Sequence, residues 1–408
     1  MASVKQFRVH IPQYKIDRLT AKLATADFPP NELDGAGWDY GVPLADVRRI
    51  TEYWKDTFNW RQAEAELNEM PQFKAPISLD GFDPIDLHFV HAKSPNPNAI
   101  PLLFCHGWPG SFDEVSKILP LLLDGGKEWP SFHVVAPSMP NYGFSSGVRQ
   151  KGFGVRQTAE VFQKLMVDVL GYNQYTTQGG DLGYLVSRYL GFLFPSSCKA
   201  SHYNFQAPKE PDGSFPELMA EYRESAPTES ILQGFRRTKW FQEEGMGYHG
   251  QHSTKPQTLG YGLADSPVGL LAWIYEKLHD WTDDYPWTDY EICKWVSIYW
   301  FSTPGPLASL WLYYDMKHTH DEIRPVIGNL FLKGVKLGCS NFPKEVVVLP
   351  SLWNKTLGNV VFNKEHGHGG HFAAFECPNE LVGDLREMFG RGGGAYGVIK
   401  GKLGETDS

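Results

Sequence analysis

Gln178-Gly179-Gly180-Asp181-Leu182-Gly183 carries the small-x-nucleophile-x-small spacing of a nucleophile elbow, with an aspartate where serine usually stands. An elbow needs an apolar strand before it and an amphipathic helix after it. The run YTTQGG ending at 180 supplies the first, and Leu182, Leu185, Val186, Tyr189 and Leu193 recur at helical spacing to supply the second. Asp181 is therefore expected at the carboxyl edge of a sheet, where parallel α/β folds place their sites. The residue type then decides the chemistry. Serine attacks acyl carbons, whereas a carboxylate attacking a strained or halogenated sp³ carbon leaves an alkyl ester on the protein, which water must cleave.

Working outward, short apolar runs alternate with helical periods from about 84 to 205, the pattern of a mostly parallel α/β sheet flanked by helices. Strands are expected at 85–91, from 101, from 132, up to 180 and from 199. Val155, Ala159, Phe162, Met166 and Val169 share one face of an intervening helix. From about 207 to 330 the alternation gives way to helical sequence containing Trp240, Trp273, Trp281, Trp287, Trp295, Trp300 and Trp311. An aromatic insertion of this kind suits a lid over an apolar cavity. The α/β pattern resumes near 334 and 359. Ahead of the sheet, Ile16, Leu19 and Leu23, then Val47, Ile50, Trp54 and Phe58, mark two helical stretches around the loop FPPNELDGAGWDYGVP. The expected division is an N-terminal arm over 1–82, core over 83–206, helical lid over 207–332, core again over 333–396 and a tail over 397–408.

A chain of 408 residues can bury one large core plus an additional module. The net charge of -9, with scattered Lys and Arg, lacks the basic face that nucleic acid or an anionic membrane selects, so neither is expected as a partner. Cys105, Cys198, Cys293, Cys339 and Cys377 are odd in number and never form C-x-x-C. That argues against a disulfide framework or zinc knuckle and fits a reducing, cytoplasmic setting. With neither a signal core nor an apolar membrane span, a soluble protein is expected.

The remaining parts of the reaction can be sought by position. His106-Gly107-Trp108-Pro109-Gly110 follows the apolar strand PLLFC; the backbone N–H groups of Trp108 and of Leu182 are the expected oxyanion donors. His371, in Gly369-Gly370-His371-Phe372 after the last expected strand, is the candidate base. Glu345, in Asn341-Phe342-Pro343-Lys344-Glu345, is the candidate acid to orient it, with Asp315 and Glu365 as rivals on position. Opening a three-membered ether also needs a donor to the leaving oxygen, and tyrosine stays protonated at neutral pH. The lid offers Tyr248 and the pair Tyr313-Tyr314. His366, His368 and His371 form H-x-H-x-x-H, which admits a metal hydrolase as a rival reading. No metal is expected there, because the segment is a glycine-rich loop and no nearby carboxylate or cysteine apart from Glu365 has ligand-like spacing, and the reaction itself needs no cofactor.

Taken together, FPPNELDGAGWDYG, YWKDTFNWRQAEAELNEMPQF, HGWPGSFDE, QGGDLG, FPKE and GGHFAAFE resemble microsomal-type epoxide hydrolases, particularly soluble fungal members, over about residues 6 to 390. The resemblance implies an α/β-hydrolase fold, with an arm wrapping the core and lid. It implies Asp181 as nucleophile, His371 as base, Glu345 as its acidic partner, and Tyr248 and Tyr313 as donors to the epoxide oxygen, Tyr314 being the alternate for Tyr313. The implied reaction turns a small epoxide into a vicinal diol without a cofactor, and relatives suggest a homodimer; the aromatic lid sequence separately points to an apolar or aryl-bearing epoxide. The rivals are a haloalkane-type dehalogenase using the same aspartate and, in a different class, a non-catalytic ligand-binding protein on the same scaffold.

Overall fold

The computed structural model describes residues 3–126, 128–224 and 226–399. Its strands, in chain order, are β1 (Lys5–Phe7), β2 (Gln72–Ile77), β3 (Ile85–Ala92), β4 (Ile100–Cys105), β5 (Phe132–Pro137), β6 (Tyr175–Gly179), β7 (Cys198–Tyr203), β8 (Leu332–Asn341) and β9 (Gly358–Glu365). They form one sheet ordered β1-β2-β3-β5-β4-β6-β7-β8-β9. The pairs from β5 through β4, β6, β7 and β8 to β9 are parallel, whereas β1, β2, β3 and β5 pair antiparallel. Every residue of β4, β5 and β6 is buried, as strands covered by helices on both faces require. This is the α/β-hydrolase arrangement.

The chain runs from β4 to one side to make β5, then returns to the other side of β4 for β6. That reversal opens a crevice at the carboxyl ends of β4 and β6. Cys105 pairs with Gly179 in register, so the segment after β4 and the elbow after β6 leave the sheet side by side. The helix Asp181–Leu193 starts directly at the elbow. A Cβ on Gly183 would stand 1.9 Å from the Cys105 carbonyl oxygen, so only glycine lets this helix pack so close to β4.

The arm departs from a purely helical module. It holds helices Gln13–Ala24, Leu44–Asp56 and Trp60–Leu67, the last capped by Asn59, but it also contributes β1 and β2 to the sheet. Pro76 hides β2 from pattern reading. Because β1 reaches only Gln72–Lys74, Pro76 lies beyond it on an open stretch of edge, where a missing N–H is tolerated. Trp54 Nε1 donates to Ser297 Oγ at 3.1 Å, tying the arm to the helix Asp289–Trp300.

Between β7 and β8 the chain forms the helices Glu229–Trp240, Gly247–His252, Pro256–Asp265, Pro267–Asp280, Asp289–Trp300 and Ala308–His318, among others. Trp281 and Trp295 are buried, while Trp240, Trp273, Trp287, Trp300 and Trp311 are half-buried. Among the described residues, no helix is long and apolar enough to cross a membrane. Replacing Gly183 with Ala should lower the urea midpoint by the equivalent of ~1–3 kcal/mol, the usual range for overpacking a filled interior. An unchanged midpoint would contradict the close approach to Cys105.

Candidate active site

The turn between β6 and its helix forces Asp181 to φ +49°, the left-handed region that few non-glycine residues adopt. This conformation projects the carboxylate from the helix N-terminus, where the backbone dipole favours an anion. Trp108 N–H donates to Asp181 Oδ1 at 2.8 Å, and the Leu182 backbone N–H also bonds the carboxylate. Burial raises the Asp181 pKa above the usual carboxylate value, against the opposing pull of His371 and these two donors.

The Trp108 loop is held rigidly. The Trp108–Pro109 bond is cis, Trp295 Nε1 donates to Pro109 O at 2.6 Å and Tyr299 Oη donates to Gly110 O at 2.6 Å. His106 Nε2 accepts from Met139 N–H at 3.1 Å, and burial lowers the His106 pKa to about 4, keeping the ring neutral. The helix Asp289–Trp300 therefore fixes the loop that carries the Trp108 N–H.

His371 Nε2 lies 3.6 Å from Asp181 Oδ2, and His371 Nδ1 lies 2.6 Å from Glu345 Oε1. Backbone bonds set both neighbours. His371 N–H donates to Trp281 O at 2.8 Å, Asn204 Nδ2 donates to His371 O at 3.3 Å, and Lys344 N–H donates to Gly369 O at 3.0 Å. Arg237, on the lid helix Glu229–Trp240, donates to the carbonyls of Glu345, Lys344 and Asp280 and so clamps the acid loop to the segment bearing Trp281. Burial pulls the His371 pKa down, but the charge and hydrogen bond of Glu345, with Asp181 and Glu114 behind it, outweigh that pull and hold it at about 9.

Opposite the carboxylate stands an aromatic box. The Tyr248 ring stacks on Trp108 at 5.0 Å and meets Tyr313 edge-on at 6.0 Å; Trp281 and His252 close the sides. Burial raises both tyrosine pKa values well above 10, reinforced for each by the Asp181 charge, so both hydroxyls remain protonated. Tyr313 Oη has no hydrogen-bond partner of normal geometry, although it lies close enough to Tyr248 to affect its ionisation. The neighbouring Tyr314 instead stacks on His318 and faces an outer cavity with Arg149 and Lys255.

The structure thus brings Asp181, His371, Glu345, Trp108, Leu182, Tyr248 and Tyr313 to one place. Asp315 accepts from Gly152 N–H and Glu365 from Ser351 Oγ, so neither bonds His371. The three histidines of H-x-H-x-x-H diverge: His366 pairs with buried Asp384 at 2.6 Å and His368 lies 3.4 Å from Glu380. Three nearby residues carried no sequence signal of their own. Glu114, Gln178 and Asn204 line the same cavity as Asp181 and His371; Glu114 ends the run HGWPGSFDE and Gln178 begins QGGDLG, whereas Asn204 lies outside these motifs.

Comparison with known proteins places the chain among similar sequences and folds. The family model described as epoxide hydrolase N terminus matches residues 4–115, and that described as alpha/beta hydrolase fold matches residues 100–219. Epoxide hydrolase 1 of Sus scrofa is 32% identical, with 95% of this chain aligned to 89% of that protein. The structure of Aspergillus niger epoxide hydrolase is 35% identical with a TM-score of 0.79, covering 94% of this chain and 95% of that one. The juvenile hormone epoxide hydrolase of Bombyx mori is 27% identical with a TM-score of 0.85, covering 94% and 93%.

The folded pKa of His371, about 9, lies above the ordinary value near 6.5. The stabilisation it lends is therefore present in full below about pH 6.5 and is lost as the pH rises through about 9. In Glu345→Gln, NMR titration of the His371 ring should show a lower pKa, and an unchanged one would remove Glu345 as its main support.

Proposed function

This chain belongs to the epoxide hydrolase family and hydrolyses epoxides, and from that premise we propose how its own residues carry the reaction. Family membership also favours an epoxide over a haloalkane as the target of the aspartate. The observation that carries the proposal is the position of the Asp181 carboxylate. One oxygen is held by the Trp108 N–H, and the other faces His371 Nε2.

Because Oδ1 is occupied by its backbone donor, Oδ2 is the nucleophile. It attacks a ring carbon while Tyr248 and Tyr313 hold the epoxide oxygen, and one tyrosine gives that oxygen its proton. At about 9, the His371 pKa makes the resting ring an imidazolium at neutral pH. Its proton is the one the tyrosinate needs back. Esterification also removes the Asp181 charge that helped raise His371, so the ring becomes a neutral base when a base is required.

In the second half, His371 Nε2 takes a proton from water as the water oxygen bonds to Asp181 Cγ. The oxyanion on the carbonyl oxygen is met by the Trp108 and Leu182 N–H groups, donors of a kind worth about 10²–10³ in rate. Collapse breaks the bond from Cγ to the alkyl oxygen, which takes the proton from His371 and leaves as the diol. The acid proton left on Asp181 then passes to His371, and the ion pair is restored. Glu345 holds the ring's orientation and its charge throughout. The aromatic walls favour an apolar or aryl-bearing epoxide.

Intact-mass analysis of His371→Gln with a styrene-type epoxide should reveal one substrate added to the peptide containing Asp181. Absence of that adduct, while the wild type makes diol, would favour direct attack by water. Tyr248→Phe and Tyr313→Phe should each slow ring opening by about 10²-fold or more, measured as pre-steady-state formation of the ester. Unchanged opening in both variants would remove the tyrosines from the mechanism.

A further inference from the structure

Beside Asp181 and His371 is a small cavity of about 20 Å³, room for one water molecule and little else. Its walls include Glu114 and Gln178, neither of which the reaction above employs. The orientation of Gln178 follows from its neighbours. Asn204 Nδ2 is committed to the carbonyl of His371, so Asn204 Oδ1 must accept, and it does so from Gln178 Nε2 at 2.7 Å. That leaves Gln178 Oε1, on a side chain only 1% exposed, as a buried acceptor without a partner. A group of this kind in a native interior implies an occupant able to donate to it.

Glu114 is also buried, in the short turn Phe112–Val115 after the Trp108 loop, and its Oε1 accepts from Ser111 N–H at 3.1 Å. A Cβ on Gly110 would fall 1.7 Å from that oxygen, so the glycine opens the space through which Glu114 reaches inward. Burial raises the Glu114 pKa to about 8, and the nearby Asp181 charge adds to it against the opposing pull of His371. At neutral pH the carboxyl is therefore a donor as well as an acceptor.

We propose that this cavity is the seat of the hydrolytic water and that Glu114 and Gln178 are catalytic residues of ester hydrolysis, holding that water against Asp181 Cγ. The inference rests on the covalent reading above. Water in this seat donates one hydrogen to Gln178 Oε1 and the other to His371 Nε2, and it accepts from the Glu114 hydroxyl. One lone pair remains, directed at the ester carbon. As His371 withdraws the proton, the oxygen gains negative charge and the hydrogen bond from Glu114 strengthens. Neither residue is needed for ring opening, because the water acts only after the ester has formed.

Rapid-quench intact-mass measurement with a styrene-type epoxide separates the two steps. In Glu114→Met and Gln178→Met, ester breakdown should slow by about tenfold or more, as loss of a hydrogen bond to a developing charge implies, while ester formation stays within about threefold. The alkyl-enzyme should then accumulate. Glu114→Gln keeps a neutral donor and the acceptor for Ser111, so its breakdown rate should remain within about threefold of wild type. The proposal is overturned if ester breakdown in the Met variants matches wild type, if both steps slow equally, or if Glu114→Gln is as slow as Glu114→Met. Should Glu114→Met fail to fold, Gln178→Met applies the same criteria alone. Failure to trap any ester in His371→Gln would count against the covalent reading rather than against the water seat.

Discussion

A buried carboxylate has to be compensated, and around Asp181 the compensation is built from backbone before any side chain takes part. The pairing of Cys105 with Gly179 sets two chain segments leaving the sheet together, so that Trp108 N–H arrives from one and Leu182 N–H from the other. Gly183 permits the approach by leaving the Cys105 carbonyl unobstructed, and the left-handed backbone at Asp181 turns the carboxylate towards both donors. Such strain persists only where the surroundings over-determine it. Here β4, β6 and the helix Asp181–Leu193 do so.

The second layer is electrostatic. One imidazole is shared between Asp181 and Glu345, and that surplus of carboxylates is why burial fails to neutralise it. In the proposed reaction the surplus changes with each step. The ring holds a proton while Asp181 is free and gives it up once Asp181 becomes an ester, so the site supplies acid and base in turn from one histidine. Burial separately keeps Tyr248 and Tyr313 protonated, so in the proposed reaction donation falls to the aromatic side of the cavity.

Much of this was legible from local pattern. The elbow, the strands from 85 to 203 and the resumption of the sheet after 330 lie close to their expected positions, most plainly at β4, where a buried parallel strand announces itself as a continuous apolar run. The strands Lys5–Phe7 and Gln72–Ile77 did not, since the first is only three residues long and the second contains Pro76. Tyr313 and Tyr314 could not be separated by spacing, because adjacent helical positions differ by only about a third of a turn and only the packed lid gives them different surroundings. Glu114 stood at the end of HGWPGSFDE, but a role for it was invisible for another reason. Its importance depends on a space opened by Gly110 and on a neutral state imposed by burial, both properties of the folded chain.

The account stands on a covalent bond between Asp181 and a substrate carbon. A single turnover in water enriched in heavy oxygen, with excess enzyme over epoxide, tests it directly, because ester cleavage at Cγ deposits the water oxygen in the carboxylate. Peptide mass analysis should find the label on Asp181 and none in the diol. Label in the diol with Asp181 unlabelled would mean that water attacks the ring itself, and the mechanism would be wrong.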